Sequence, residues 1–298
     1  MSGRDAPRVT VIMIVHNGGD LIEDSIRSVL SQDYTDRELL VVDDGSTDDT
    51  VRRVEALASR HPGAIRLIGH PDGANHGMSA TRRLGVASCG SPLMIFLDHD
   101  DLMNPGALGQ MVARLDEHPE VGAAVGPNQR FWTDETGRET DRPRVEQCLG
   151  FDPDRIASPP GLLAVFLSDS SRVPISPIFR REAYEATGGY EAAFTGMYED
   201  QVFMSKLFLE QRVWIDSRTW IRYRQHAASC VARSFRTATN AGRRRRFLRW
   251  LRRHLAGLER PNVQLTELLT RELRENRVLR RRERRRRLAH LLRPAGRH

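Results

Sequence analysis

Hydrophobic positions along this chain alternate between two rhythms. Val9 to Val15 is an apolar run rich in β-branched residues. It ends in His16-Asn17-Gly18-Gly19-Asp20, the pattern of a strand buried on both faces and then a turn. Ile22, Ile26, Val29 and Leu30 then recur at helical spacing until Asp33 and Tyr34, and Asp20 followed by Glu23 resembles a capping box. Leu39 to Val42 is a second buried strand, broken by Asp43-Asp44-Gly45-Ser46, and Val51, Val54 and Leu57 carry the next helical face. Ile65 to Ile68 predicts a third strand, Ser79 to Ala87 a helix and Leu93 to Leu97 a fourth strand. Leu108, Met111, Val112 and Leu115 form another helical face, and Val121 to Pro127 one more strand. Alternating strands and helices imply an α/β fold with a mostly parallel central sheet and helices on both sides.

In such sheets ligands bind outside the carboxyl ends of the strands. Two acidic turns, Asp43-Asp44 and Asp98-His99-Asp100-Asp101, directly follow predicted strands, so both are expected at one rim. The second turn puts three carboxylates within four positions. Like charges this close call for a partner, and a hard divalent cation with oxygen ligands is the usual one. A solvated acidic turn that starts the next helix is the other reading of the same residues.

Composition narrows the class. A chain of 298 residues with 39% hydrophobic content can furnish a sizeable core. No apolar run approaches the roughly 20 residues that cross a bilayer, and Met1 to Asp5 lacks a signal-peptide stretch, so a cytoplasmic protein is expected. Cys89, Cys148 and Cys230 have neither metal-ligand nor disulfide spacing. The net charge of +7 conceals a division: residues 243–298 hold 20 Arg and 5 Glu, a balance of +15, and the chain before them carries −8. A basic appendage on an acidic body points to an anionic surface, or to an acidic face of the same protein.

Four segments occur in order: Val11-Ile12-Met13-Ile14-Val15-His16-Asn17, Ser28 to Tyr34, Val41-Val42-Asp43-Asp44-Gly45-Ser46-Thr47-Asp48, and Phe96 to Asp101. Together they resemble the family 2 glycosyltransferases, over the chain to about Ala232. The resemblance implies a GT-A fold, in which the loop after the second strand grips a nucleotide. Asp44 is then bonded to the base and Asp43 lies near the ribose, with Val15 and Asn17 on the same donor side. Gly77-Met78-Ser79-Ala80-Thr81-Arg82-Arg83-Leu84-Gly85 is similar to the family's segment beneath the diphosphate, which makes Arg82 a donor contact; Arg83 stands where Asn is common. The resemblance gives Asp100 as metal ligand for Mn²⁺ or Mg²⁺, Asp98 as a contact to ribose or donor sugar, and Asp101 as support. Gly188-Gly189-Tyr190 and Tyr198-Glu199-Asp200 are similar to the family's glycine-glycine-aromatic and Glu-Asp elements. A carboxylate beside an acceptor hydroxyl can accept its proton, which makes Asp200 the expected catalytic base and Glu199 its support or an acceptor contact. Trp220 to Ser229 resembles a segment that closes the donor site, with His226 touching metal or diphosphate and Arg224 within reach of phosphate. Arg130, Phe131, Trp132 and Trp214 receive no role, because isolated aromatics are more often packing.

The expected organisation is a tail at 1–7, a GT-A domain at 8–240 (nucleotide-sugar half 8–126, acceptor half 127–240) and an Arg-rich helical extension at 241–298. In that extension Leu248, Leu251, Leu255 and Leu258, and then Leu265, Leu268, Leu269, Leu273 and Leu279, give two amphipathic faces. They suit an anionic membrane surface, packing on the body, or nucleic acid, for which the body itself has no signature. The expected function is inverting, metal-dependent transfer from a nucleoside-diphosphate sugar, UDP favoured, to an acceptor hydroxyl of a sugar or lipid-linked sugar, in cell-surface polysaccharide or glycolipid assembly. The rival is a degenerate protein that binds sugar nucleotides, or nucleic acid through its Arg tail.

Overall fold

The computed structural model describes residues 6–134, 136, 138–140, 144–146, 152–168, 176–237, 239–259 and 262–291; Met1 to Asp5, Cys148 and Phe151 lie outside them. Strand β1 (Val9–Val15) is buried along its whole length and pairs in parallel with β2 (Arg37–Asp43) and β4 (Leu93–Phe96). On the far side of β2 lies β3 (Ile65–Gly69), also parallel. Between these strands run α1 (Leu21–Leu30), α2 (Thr50–Arg60) and α3 (Met78–Ser88).

Alternation of side chains divides the core into two layers. Val11 and Met13 of β1 join Ile22, Ile26, Val54 and Leu57 on one face, where α4 (Ala107–Glu117) also packs. Ile12 and Ile14 face the other way, toward Val86 and the downstream helices.

Beyond β4 the sheet ceases to be parallel. Strand β10 (Ile178–Arg180) runs antiparallel between β4 and β6 (Ala123–Val125), and β11 (Val213–Ile215) and β9 (Arg155–Ala157) complete the order β3-β2-β1-β4-β10-β6-β11-β9. A second sheet is formed by β5 (Leu102–Met103), β12 (Ile221–Gln225), β7 (Asn128–Trp132) and β8 (Arg144–Glu146), in that order. The acidic turn Asp98 to Asp101 is the crossing from β4 in the large sheet to β5 in the small one.

Helices α5 (Gly161–Ser168), α6 (Arg181–Ala186) and α7 (Glu199–Glu210) cover the second face of the large sheet, and α8 (Cys230–Arg236) follows β12. The Arg-rich extension forms two further helices, α9 (Asn240–Ala256) and α10 (Val263–Leu291). Leu248, Leu251, Leu255, Leu265 and Leu269 are buried in the same core layer as Phe166 of α5 and Phe208 of α7, and Leu258, Leu268 and Leu273 pack against that layer. The apolar stripes are therefore covered by the body, leaving arginines such as Arg249, Arg252, Arg253, Arg274 and Arg277 outward. Leu279 is 48% exposed. Among the described residues no helix is long and apolar enough to cross a membrane.

The capping box at α1 does not form. Asp20 has helical backbone angles and makes no side-chain cap; its carboxylate pairs with Arg53 at 2.5 Å, and Glu23 meets the same guanidinium at 2.9 Å. Arg53 on the neighbouring helix α2 thus takes both acids in place of the cap.

Candidate active site

At the carboxyl ends of β1, β2 and β4 the loops open into a cleft of ≈ 1650 Å³. Its lining includes Val15, Asn17, Asp44, Arg82, Asp98, Asp100, Glu199, Asp200 and His226, so these nine candidates from distant parts of the chain share one space. Asp43 stands behind it.

The two loops on the nucleotide side are stitched by their own polar groups. Asn17, with a left-handed φ of 55°, accepts the backbone N–H of Thr47 at 2.8 Å, and its own N–H donates to Ser46 Oγ at 2.9 Å. Asp43 makes the turn, accepting the N–H groups of Gly45 at 3.1 Å and Ser46 at 3.0 Å through one oxygen, while its other oxygen is buried without a partner. Asp44, 5% exposed, accepts the N–H groups of His76 at 2.7 Å and Gly77 at 3.0 Å, tying the β2 turn to the entry of α3. Gly77 is required there: its φ is +83°, and a Cβ would lie 2.4 Å from the carbonyl oxygen of Thr195.

Arg82 occupies the centre. It is 3% exposed, donates through Nη1 to Glu199 and through Nη2 to Asp98 at 2.7 Å, and lies 5.5 Å from the Tyr190 ring centroid and 5.6 Å from that of Phe96. It links the acidic turn of β4 to the start of α7. Gly188 and Gly189 shape the turn that brings Tyr190 under it. One arginine faces three acids here. Burial and then the Asp200 charge push Glu199 up to about 8 against the pull of Arg82, and burial likewise raises Asp200.

In the acidic turn, single oxygens of Asp98, Asp100 and Asp101 lie within 4.8 Å of one another. His226, at the end of β12, meets Asp100 Oδ2 at 3.0 Å. Burial works to raise the Asp100 carboxyl, but the His226 hydrogen bond and the imidazole charges hold it below its usual range. Asp101 is fully buried; one oxygen accepts the N–H of Arg224 at 2.9 Å and the other has no partner, and burial with its acidic neighbours drives its pKa well up. Such a crowd, with one orphaned buried oxygen and an imidazole beside it, suits a hard divalent cation. Arg224 is structural: its Nε donates to the Asp100 carbonyl at 2.8 Å and its plane lies over Phe131 at 5.0 Å. Trp214 is likewise core, stacked on His118 at 4.1 Å. Arg83 is exposed and away from the cleft, and Ser229 accepts the N–H of Ala232 at the start of α8.

Sequence reasoning missed Asn128, Tyr223, Asn240 and Arg243, which also line the cleft. The first two enter through the small sheet, which no periodicity announced. The last two come from the first turn of α9.

Residues 10–188 match the family model described as Glycosyl transferase family 2. The chain belongs to the family 2 glycosyltransferases. It is 31% identical over 252 residues to an uncharacterised protein of Mycobacterium tuberculosis, covering 82% of this chain and 76% of the relative. It is 34% identical over 106 residues to the succinoglycan biosynthesis protein ExoU of Rhizobium meliloti, covering 36% of this chain and only 30% of the relative. Among solved structures, S. aureus TarS 1-349 in complex with UDP-GlcNAc superposes with a TM-score of 0.65 at 18% identity, over 91% of this chain and 72% of TarS. A Pyrobaculum calidifontis mannosyltransferase in complex with GDP-Man and Mn²⁺ superposes with a TM-score of 0.63 at 18% identity, over 98% and 77% of the two chains. This glycosyltransferase therefore has the GT-A-type α/β architecture, extended by C-terminal helices.

Proposed function

We propose that this glycosyltransferase is an inverting, metal-dependent enzyme that moves a hexose from a nucleoside-diphosphate sugar, with UDP the favoured carrier, to an acceptor hydroxyl of a sugar or lipid-linked sugar. The observation that carries the reading is the convergence on one cleft of the acidic turn with His226 and the Glu199–Asp200 pair, linked through Arg82. Structural neighbours solved with UDP-GlcNAc and with GDP-Man and Mn²⁺ support a nucleotide-sugar donor and a divalent ion.

Asp100 and His226, supported by Asp101, would hold Mn²⁺ or Mg²⁺, which when bound neutralises charge on the departing diphosphate, and Asp98 faces the ribose or donor sugar. Asp44, Asn17 and the end of β1 at Val15 receive the nucleoside, with Asp43 shaping the turn. Asp200 accepts the proton of the acceptor hydroxyl as its oxygen forms a bond to the anomeric carbon. The bond from that carbon to the diphosphate oxygen breaks, its electron pair leaving with the nucleoside diphosphate, and a single displacement inverts the centre. The raised pKa of Asp200 makes it a better proton acceptor than an ordinary carboxylate. Glu199 holds Arg82 and so keeps the two acidic groups in register. Residues 8–240 form the GT-A domain and 241–298 its Arg-rich helical extension. A cytoplasmic setting at the inner face of a membrane fits the outward arginines of α9 and α10, with contact through charge since the leucine stripes are covered.

Calorimetric titration against nucleoside diphosphates and nucleotide sugars, with Mn²⁺ and with chelator, tests the reading. Metal-dependent binding of one nucleotide is expected; folded protein that binds none would turn the assignment toward a degenerate binding protein.

A further inference from the structure

We infer that the first turn of α9 belongs to the catalytic site, with Asn240 as a positioning residue that holds Tyr198 and, through it, the Glu199–Asp200 pair. The inference rests on the reading of Asp200 as the base. Its starting point is a strained backbone: Tyr198, the residue before Glu199, has φ 79° and ψ 3°, a left-handed conformation at a bulky side chain. Such a residue persists only where its surroundings over-determine it.

Here the surroundings are α9. The Tyr198 hydroxyl donates to Asn240 Oδ1 at 2.8 Å, and its ring stacks on Phe247 at 5.7 Å. The approach to Tyr198 is held from the same helix: Arg246 donates to the carbonyl of Ala193 and lies 5.1 Å from the Phe194 ring centroid, and Phe194 meets Trp250 edge-on at 6.0 Å. The loop so backed also touches the donor side, since Thr195 accepts the N–H of Met78 at 3.3 Å. Helix α9 is in turn fixed by α10, where Glu272 pairs with Arg244 at 2.7 Å and Glu283 accepts the N–H of Ala241 at 3.1 Å. Asn240 and Arg243 themselves line the cleft. A boundary drawn at residue 240 thus passes through the support of the proposed base.

The left-handed turn at Tyr198 starts α7 and sets the direction in which Asp200 leaves the helix. A positioning role predicts a selective effect, because a small misplacement of a reacting group slows the chemical step and leaves donor binding intact.

The test compares Asn240→Ala, Tyr198→Phe and Asn240→Asp with wild type in the full-length protein. Amide hydrogen exchange at residues 199–202 is expected to accelerate by about fivefold in Asn240→Ala, the effect of one lost hydrogen bond, and by at least as much in Tyr198→Phe, which also loses the contact with Arg244, with β1 to β4 unchanged. The affinity for the nucleotide that wild type binds stays within about twofold, transfer kcat falls by about tenfold or more, and Asn240→Asp, which keeps the acceptor oxygen, restores most of it. Unchanged exchange at 199–202 would overturn the inference, and so would acceleration spread evenly over the fold. If Asn240→Ala does not fold, Tyr198→Phe removes a single oxygen and, because that hydroxyl also bonds Arg244, decides whether α9 as a whole holds the turn. If wild type shows no turnover, the assigned function fails while the exchange comparison still decides whether α9 holds this turn.

Discussion

Replacing Arg82 by Met would remove the guanidinium that Asp98 and Glu199 share while keeping much of the volume between Phe96 and Tyr190. Where Glu199 is ionised, removing its buried partner leaves an uncompensated charge and costs roughly 3–5 kcal/mol. Specific unfolding entropies give about 1.6 °C per kcal/mol for a chain of 298 residues, so the midpoint should fall by about 5–8 °C. The loss should also depend on pH. In the wild type Glu199 is already pushed up to about 8, above its ordinary 4.5, so the native state holds a proton that the unfolded chain has released. That contribution to stability is full below about pH 4.5 and is lost as pH rises through about 8. Without Arg82 the folded-state value rises further, and the variant falls behind wild type increasingly between pH 5.5 and 8.5. Chemical denaturation at those two pH values measures the gap, and adding Glu199→Gln to Arg82→Met should recover part of it, because the unpaired carboxylate is then gone. A penalty below about 1 kcal/mol, or one equal at both pH values, would refute the account of Arg82 as the cluster's counter-charge.

Three other outcomes are expected. Asp100→Asn should abolish the metal-dependent part of nucleotide binding in calorimetry; equal affinity in variant and wild type, with Mn²⁺ present, would remove Asp100 from the metal site. Asp200→Asn should leave donor binding intact and lower transfer by about 10²- to 10⁴-fold, read as product formed per enzyme with saturating donor. Gly77→Ala places a methyl 2.4 Å from the Thr195 carbonyl at a φ of +83° and should cost about 1–3 kcal/mol by thermal unfolding while weakening nucleotide affinity; a variant as stable as wild type would show that this turn does not require glycine.

Much of this protein was legible in residue order alone. The run Val9 to Val15 and the apolar stretches around Leu40, Ile65 and Leu93 form strands because residues buried on both faces need no alternation, and the parallel order follows from the helices between them. The acidic turns meet at one rim because both follow strands adjacent to β1. The second sheet was hidden, since its strands are two to five residues long and β12 joins partners about 90 to 120 residues away in the chain, a pairing that local periodicity does not encode. Amphipathic stripes in α9 and α10 announced helices but not their partner, because a Leu face reads the same against a bilayer as against Phe166 and Phe208. Arg82 was picked out by its motif, yet its link from Asp98 to Glu199 exists only once α3, β4 and α7 have packed. Chemistry carried by neighbours in sequence was therefore set by the sequence itself; the counter-charge at Arg82 and the support of Tyr198 by Asn240 depend on contacts that only the folded chain makes.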